Sequence, residues 1–426
     1  MTTSDTILPT VVIGAGIVGV ATALSLTQRG RSVTVIERLP GPAELCSRAN
    51  AGILAVGHAK AWAGPDAIGA MVRAATGRDP AVRITRYLDP ALWSWGIEFL
   101  RNCTPGAHRT NTDKLKRLSK FSRDLTAETE AELGLPPETA HNGSLYLFQR
   151  RAQFDAYVAA LGDAQDGALE VLDRDALIAR EPVLARMGDR LVGGVFCRID
   201  SVGDCRRFAT RLCEWLGRNN RTELRFDTAV TGFRRKGRHI EAVETDAGPL
   251  PCAEVVLATG VETPDICRPL GFAPRIYPVK GYSGTWRILE SAGVPHLPFI
   301  DETELVAVAS YGDRLRVTAI AEFAGRDRSL PADRMALLDG YVRRNFGAAV
   351  DLETPEFWAG LRPSTPAGPP YLGRVRQIEN LWINAGHGQL GWTMARGCGE
   401  ILAQMITGET PTLTAVSATA PWLEPA

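Results

Sequence analysis

Thr10-Val-Val-Ile-Gly-Ala-Gly-Ile-Val-Gly-Val20 decides the fold. Thr10 to Ile13 is a β-branched, largely apolar run that reads as a buried strand. It leads into Gly14-Ala15-Gly16-Ile17-Val18-Gly19. A helical pattern follows, with Val20, Leu24 and Leu26, and closes at Gly30. Val33-Thr-Val-Ile36 then gives a second strand that ends on Glu37. In such a unit Gly14 permits a tight turn, Gly16 lets the backbone approach a pyrophosphate, and Gly19 lets the helix pack on the strand. The helix N-terminus offers N–H groups and a positive dipole end to the phosphate. Glu37 is placed to accept hydrogen bonds from ribose hydroxyls, and its charge repels a 2′-phosphate, which argues against NADP. A Gly-x-Gly-x-x-Gly string alone is weak; one set strand–turn–helix–strand–acid is specific.

Moving outward, four features favour FAD over a nicotinamide cofactor. Glu37-Arg38 is followed closely by Cys46-Ser47-Arg-Ala-Asn50-Ala51-Gly52, a polar, small-residue loop suited to run beneath a flavin and its pyrophosphate. Leu224 to Gly260 reads as a strand meander that includes Val230 and closes on Ala258-Thr259-Gly260, a small turn that lets backbone approach the cofactor. Near the end, Gly386-His387-Gly388-Gln389-Leu390-Gly391 enters a helix starting near Trp392. That helix N-terminus is expected to face the flavin N1–C2=O edge, where negative charge appears on reduction. No second complete Gly-x-Gly-x-x-Gly unit exists for a nicotinamide, so a flavin reduced by substrate is the better fit.

The rest of the composition excludes more than it assigns. At 426 residues the chain is long enough for two packed domains. Apolar residues are 45% and charged residues 23%, so disorder is not expected. The 48 Lys+Arg and 48 Asp+Glu cancel, giving no basic excess for nucleic acid and no polybasic tail for an anionic membrane. Residues 1–9 carry no charged region ahead of an apolar run, so no secretory leader is expected. The apolar stretch Val11 to Leu26 reads as strand, turn and helix rather than a membrane span. None of the eight cysteines forms a Cys-x-x-Cys pair and none of the six histidines a His-x-x-x-His, so no metal is expected. Scattered thiols fit a reducing, cytoplasmic compartment.

The sequence resembles the D-amino acid dehydrogenase small-subunit family, within the D-amino acid oxidase/glycine oxidase superfamily. The matching text includes Ser47-Arg-Ala-Asn-Ala-Gly52, Gly143-Ser-Leu-Tyr-Leu-Phe148, Tyr277-Pro-Val-Lys-Gly-Tyr-Ser283, Trp358-Ala-Gly-Leu-Arg-Pro363 and Asn384-Ala-Gly-His-Gly-Gln-Leu-Gly-Trp-Thr393. The resemblance implies an α/β two-domain protein: a Rossmann-like FAD-binding domain and a discontinuous substrate domain on a mixed or antiparallel sheet with helices. It places residues 1–90, 200–270 and 353–416 in the FAD domain and 91–199 and 271–352 in the substrate domain. Residues 413–426 read as a loose tail, of which 417–426 lie outside both domains. The chain departs from the family pattern at Ser310, at Thr318-Ala319 and in Ile53-Leu-Ala-Val-Gly-His58, which puts substrate identity rather than reaction class in question.

For chemistry, Arg362 in Gly360-Leu-Arg-Pro363 is the first candidate: a substrate carboxylate calls for a planar two-pronged donor. Tyr282 and Tyr311 are candidates to hydrogen-bond the same carboxylate or to wall the site. His387, between two glycines, is read first as positional and second as a base. The reaction implied by the resemblance is oxidative deamination of a D-amino acid to a 2-oxo acid and ammonium, with non-covalent FAD and a quinone or other respiratory acceptor. Contact with the inner face of the cell membrane is then peripheral at most. Two rivals remain open: oxidation of secondary amino acids such as proline, hydroxyproline or sarcosine, and an electron-relay flavoprotein without its own substrate.

Overall fold

The computed structural model describes residues 8–76, 81–161 and 167–426. The first seven residues, on which much of the reading of no leader rests, lie outside that set. Two large sheets organise the rest. The first has seven strands in the order Thr222–Arg225, Val33–Ile36, Thr10–Ile13, Glu254–Leu257, Leu381–Ala385, Tyr371–Val375 and Leu423–Pro425. Its first five strands are parallel, as crossover helices require, and the last two pairings are antiparallel. Both faces are covered. The helices Ile17–Gln28, Cys205–Gly217 and Gly391–Thr407 bury Val12, Val33, Val35 and Val256 on one side. On the other, the antiparallel meander Val230–Lys236, His239–Thr245 and Gly248–Pro251 packs Ile240, Val243 and Leu250 onto Val11, Ile13, Val255 and Ile383. Double coverage explains why these strands read as continuous apolar runs.

The second sheet has nine strands. Across it run Glu356–Ser364, Tyr277–Arg287, Arg314–Phe323, Val306–Tyr311, Phe299–Asp301, Ser144–Phe148, Gly193–Cys197 and Leu169–Asp173, with Val82–Ile84 beside Arg314–Phe323. One face packs on the helix Ala332–Asn345 through Tyr282, Trp286, Val317, Leu338 and Tyr341. The opposite face looks toward the first sheet and floors a cavity.

Two expectations change. Residues 413–426 are not a loose tail: Val416, Ser417, Ala418 and Leu423 are buried, Leu423–Pro425 extends the first sheet, and the Trp422 ring packs 5.0 Å from those of Phe272 and Tyr371. The strands Glu356–Ser364 and Val82–Ile84, expected with the FAD segments, belong to the broad sheet. Tyr277–Thr285 offers Glu356–Ser364 an unbroken nine-residue antiparallel ladder. The long helix runs Pro105–Glu132, because Thr104 accepts the Ala107 N–H at 3.3 Å as its cap and Pro105 opens it. Its buried apolar face starts at Leu115.

Candidate active site

Between the two sheets lies a cavity of about 1420 Å³. That exceeds the range of ordinary small-ligand pockets, about 300–1,000 Å³, and leaves room for a dinucleotide and a second molecule. Its wall is assembled from four chain segments and the broad sheet's floor.

The first segment is the glycine turn. Gly14 adopts φ +104°, and a Cβ on Gly19 would stand 1.9 Å from the Gly14 carbonyl oxygen, so helix and strand meet at a spacing only glycine allows. Gly16, Ile17 and Val18 line the cavity, while Ala15 and Gly19 hold the turn from behind. Glu37 accepts the Ala15 N–H at 2.9 Å and the Leu39 N–H at 3.1 Å, which fixes its carboxylate at the cavity rim. Ser47 Oγ accepts the Ile17 N–H at 3.2 Å and ties in the second segment, the loop 46–52. Cys46, Ser47, Asn50 and Ala51 face the cavity; Gly52 sits behind them, with its N–H on Asn50 Oδ1 at 3.0 Å. The third segment supplies Val230, Ala258, Thr259 and Gly260, where Arg38 pairs with Glu262 across the rim.

The fourth segment is Gly386–Gly391. Gly386 turns at φ +89° behind the wall, and His387, Gly388, Gln389, Leu390 and Gly391 line the cavity. The helices Ile17–Gln28 and Gly391–Thr407 both open onto the cavity, and neither has a side-chain cap or an acid in its first turn. His387 is 3% exposed and its Nε2 has no hydrogen-bond partner. Burial pushes its pKa down to about 3, so the imidazole is neutral. A base this weak does not take a proton from an ammonium group, and the positional reading of His387 fits the geometry better than the reading as a base.

The floor follows strand alternation. Gly281 and Ser283 point one way and Tyr282 the other. Arg362 shares the cavity face with Trp358 and Gly360, and a Cβ on Gly281 would stand 2.3 Å from Arg362 Nη2, so the missing side chain makes room for the guanidinium. Arg362 Nη1 donates to the Ile320 carbonyl at 3.0 Å. Ile320 sits at a bulge where the register between Lys280 and Tyr282 slips, with φ +73°. A positive φ is strained for a β-branched residue, and here it aims a carbonyl at the guanidinium. Arg362 has no carboxylate partner among the described residues, and burial lowers its pKa.

Two sequence candidates are displaced. Tyr282 lies on the far face, packed against the helix Ala332–Asn345, and its hydroxyl donates to Glu322. It still counts among the cavity-lining residues, but its hydroxyl is turned away, as the period of two dictates once Gly281 faces Arg362. Tyr311 is outside the wall: its hydroxyl donates to the Ala51 carbonyl at 2.6 Å and its ring presses on Gly52, so it props the loop from below. The sequence reading also missed Glu302, which pairs with His58 at 2.8 Å on the cavity wall. Burial raises the Glu302 pKa, but the facing His58 together with Lys60 outweighs it and the carboxyl is held low. Arg328, in the loop after Arg314–Phe323, lines the cavity as well. Neither residue sits in a motif; both are brought in by the sheet's curvature and loops.

The donor set fits FAD. Two uncapped helix N-termini open onto the cavity, one beside a glycine cradle and a ribose-ready carboxylate, the other beside a neutral histidine turn. This is the architecture of a dinucleotide-dependent oxidoreductase. The comparisons agree: the family profile described as "FAD dependent oxidoreductase" (DAO) matches residues 10–405. A protein named D-amino acid dehydrogenase from Methylobacterium nodulans is 40% identical over 404 residues, covering 94% of this chain and 95% of the relative. One of the same name from Cereibacter sphaeroides is 38% identical, covering 94% and 92%. Among solved structures, glycine oxidase from Geobacillus kaustophilus superposes with a TM-score of 0.73 at 19% identity, covering 97% of this chain and 98% of that one. The chain belongs to the DAO family of FAD-dependent oxidoreductases, and it is an FAD-dependent enzyme.

Proposed function

We propose that this chain is a dehydrogenase of D-amino acids, yielding 2-oxo acid and ammonium, with Arg362 as the anchor of the substrate α-carboxylate. The observation that carries the reading is an arginine on the cavity floor, held by a strained carbonyl and lacking any carboxylate of its own among the described residues. The names of the relatives at 38–40% identity support the substrate class. FAD bound in the cavity supplies the two-electron acceptor for the Cα hydride. The chain's own contribution is position and dryness: a charge-assisted fork fixes the carboxylate, apolar floor residues such as Ala307 and Ile320 exclude water, and neutral His387 adds no competing charge. Steady orientation of a neutral amine, rather than a strong protein base, then governs the rate. Anaerobic addition of D-amino acids, L-amino acids and N-alkyl glycines to the holoenzyme tests this. D-amino acids are expected to bleach the flavin band; bleaching by N-alkyl glycines or L-amino acids alone refutes the reading.

We infer that the electrons leave to a lipid-soluble quinone at a bilayer surface. Ile68 and Val72 on the helix Ala67–Ala75, Tyr87 and Leu88, and Trp93 and Ile97 on the helix Pro90–Arg101 are 48–95% exposed. All but Leu88 also line the cavity, so its mouth opens through an apolar patch. Such a patch is unusual on a free surface and suits contact with lipid. Among the described residues no helix is long and apolar enough to cross a membrane, so the contact is peripheral. Flotation of the holoenzyme with phosphatidylcholine–phosphatidylglycerol vesicles is the check. Leu88→Asp is expected to reduce co-flotation, and equal flotation of the variant sinks the inference.

A further inference from the structure

Two arginines of the cavity wall lack a carboxylate partner among the described residues: Arg362 and Arg328. Among the acids of the wall, five are already engaged, and Asp66 stands exposed at the rim. Glu262 pairs with Arg38, Asp265 with Arg326, Glu302 with His58, and Glu44 with Arg48 and Arg206. Glu37 is held by backbone N–H groups.

Arg328 is also presented by a fixed backbone. On one side, Arg326 is bound to Asp265 and donates to the Val261 carbonyl at 3.2 Å. Next to it, Asp327 accepts from the buried Lys280 ammonium at 2.7 Å and from the Ser329 N–H at 3.0 Å. Lys280 holds the Asp327 carboxyl well below its ordinary range, at about 2, so this clasp stays ionised at any working pH. The loop is thus pinned at both neighbours while the Arg328 side chain remains exposed to the cavity. Both arginines act on the same point of the wall: burial raises the Cys46 thiol pKa, and Arg362 and Arg328 each pull it back down.

Two guanidinium groups on one cavity wall, neither with a carboxylate partner among the described residues, leave charge-assisted donor positions open. A ligand with a single carboxylate satisfies one of them; a ligand with two satisfies both. We propose that Arg328 is a second carboxylate clamp, selecting D-amino acids whose side chain ends in a carboxylate. The inference rests on the reading of Arg362 as the α-carboxylate anchor. A guanidinium in that place could instead serve the cofactor, so the experiment separates the two.

The test uses FAD-replete wild type and Arg328→Gln with a water-soluble dye as electron acceptor. The readout is the ratio of kcat/KM for D-glutamate and D-aspartate to that for D-alanine. Loss of a charge-assisted hydrogen bond to the side-chain carboxylate lowers this ratio by roughly ten- to a hundredfold. Arg328→Lys recovers part of it, since charge is kept and the fork is lost. An unchanged ratio overturns the inference, as does a variant that no longer retains FAD. If wild type turns over no D-amino acid at all, the underlying reading fails and the inference falls with it.

Discussion

Replacing Arg362 by alanine separates two effects that the geometry keeps distinct. The guanidinium donates to the Ile320 carbonyl, and removing it leaves a partly buried acceptor unmet, which costs about 1–3 kcal/mol of stability. The larger loss falls on substrate. An α-carboxylate left unpaired in a partly dry site costs on the order of 2–5 kcal/mol, or roughly 30- to several-thousandfold in kcat/KM. Arg362→Lys keeps the charge without the planar fork and should land between the two. FAD should remain bound in both variants, because the cradle at Gly14–Val18 and the Gly388–Gly391 turn are untouched. Steady-state kinetics with the best D-amino acid, beside the visible spectrum and a thermal melt, distinguishes the effects. A lower melting temperature with unchanged kcat/KM in flavin-replete Arg362→Ala would show that the residue only braces the bulge, and would remove it from the site.

Other outcomes follow from single contacts. Gly281→Ala puts a methyl where Arg362 Nη2 lies, at 2.3 Å; the flexible guanidinium must move, so KM should rise with little loss of stability, and an unchanged KM contradicts the floor geometry. Gly19→Ala instead strikes backbone, the Gly14 carbonyl at 1.9 Å, and the desalted protein should carry much less FAD per chain; full occupancy would count against the cradle. His387 has a folded pKa near 3 against 6.5 when exposed, so the unfolded chain binds the extra proton between those values. Stability should therefore fall as pH drops through that window, and His387→Gln should show a shallower fall in urea midpoint between pH 7 and pH 5. Acid or heat denaturation is expected to release all the FAD into the supernatant, and colour retained by the precipitated chain would refute non-covalent attachment.

The first sheet was legible because its physics is local. Thr10–Ile13, the glycine turn and Val33–Glu37 are contiguous, and each residue type has one plausible use. The place of Arg362 beside the cavity was legible for a related reason, since a forked donor in a short motif is hard to assign to packing. Tyr282 misled because its motif was read without its register. The alternation that turns Gly281 toward the cavity turns Tyr282 away, and only the partner strand Glu356–Ser364 reveals which face is which. Tyr311 misled differently: its strand faces the right way, but its hydroxyl is spent on a carbonyl 260 residues away in sequence. Arg328 and Glu302 gave no local signal at all, because loops and distant strands bring them to the wall. The C-terminal residues were misread because a terminal position was taken for looseness, whereas Leu423 and Trp422 need only a short strand to dock.

Ile320 carries a further consequence for how this enzyme could be altered. A β-branched residue at φ +73° holds roughly 1–3 kcal/mol of backbone strain that the surrounding sheet must outweigh. Ile320→Gly relieves that strain but empties a buried core position, at about 2–5 kcal/mol, and frees the carbonyl to swing at the spot where the guanidinium is held. The side chain's burial is therefore what keeps the strained turn in place, and a smaller residue there loosens core and floor together. Laboratory evolution of this scaffold should leave that position bulky and apolar.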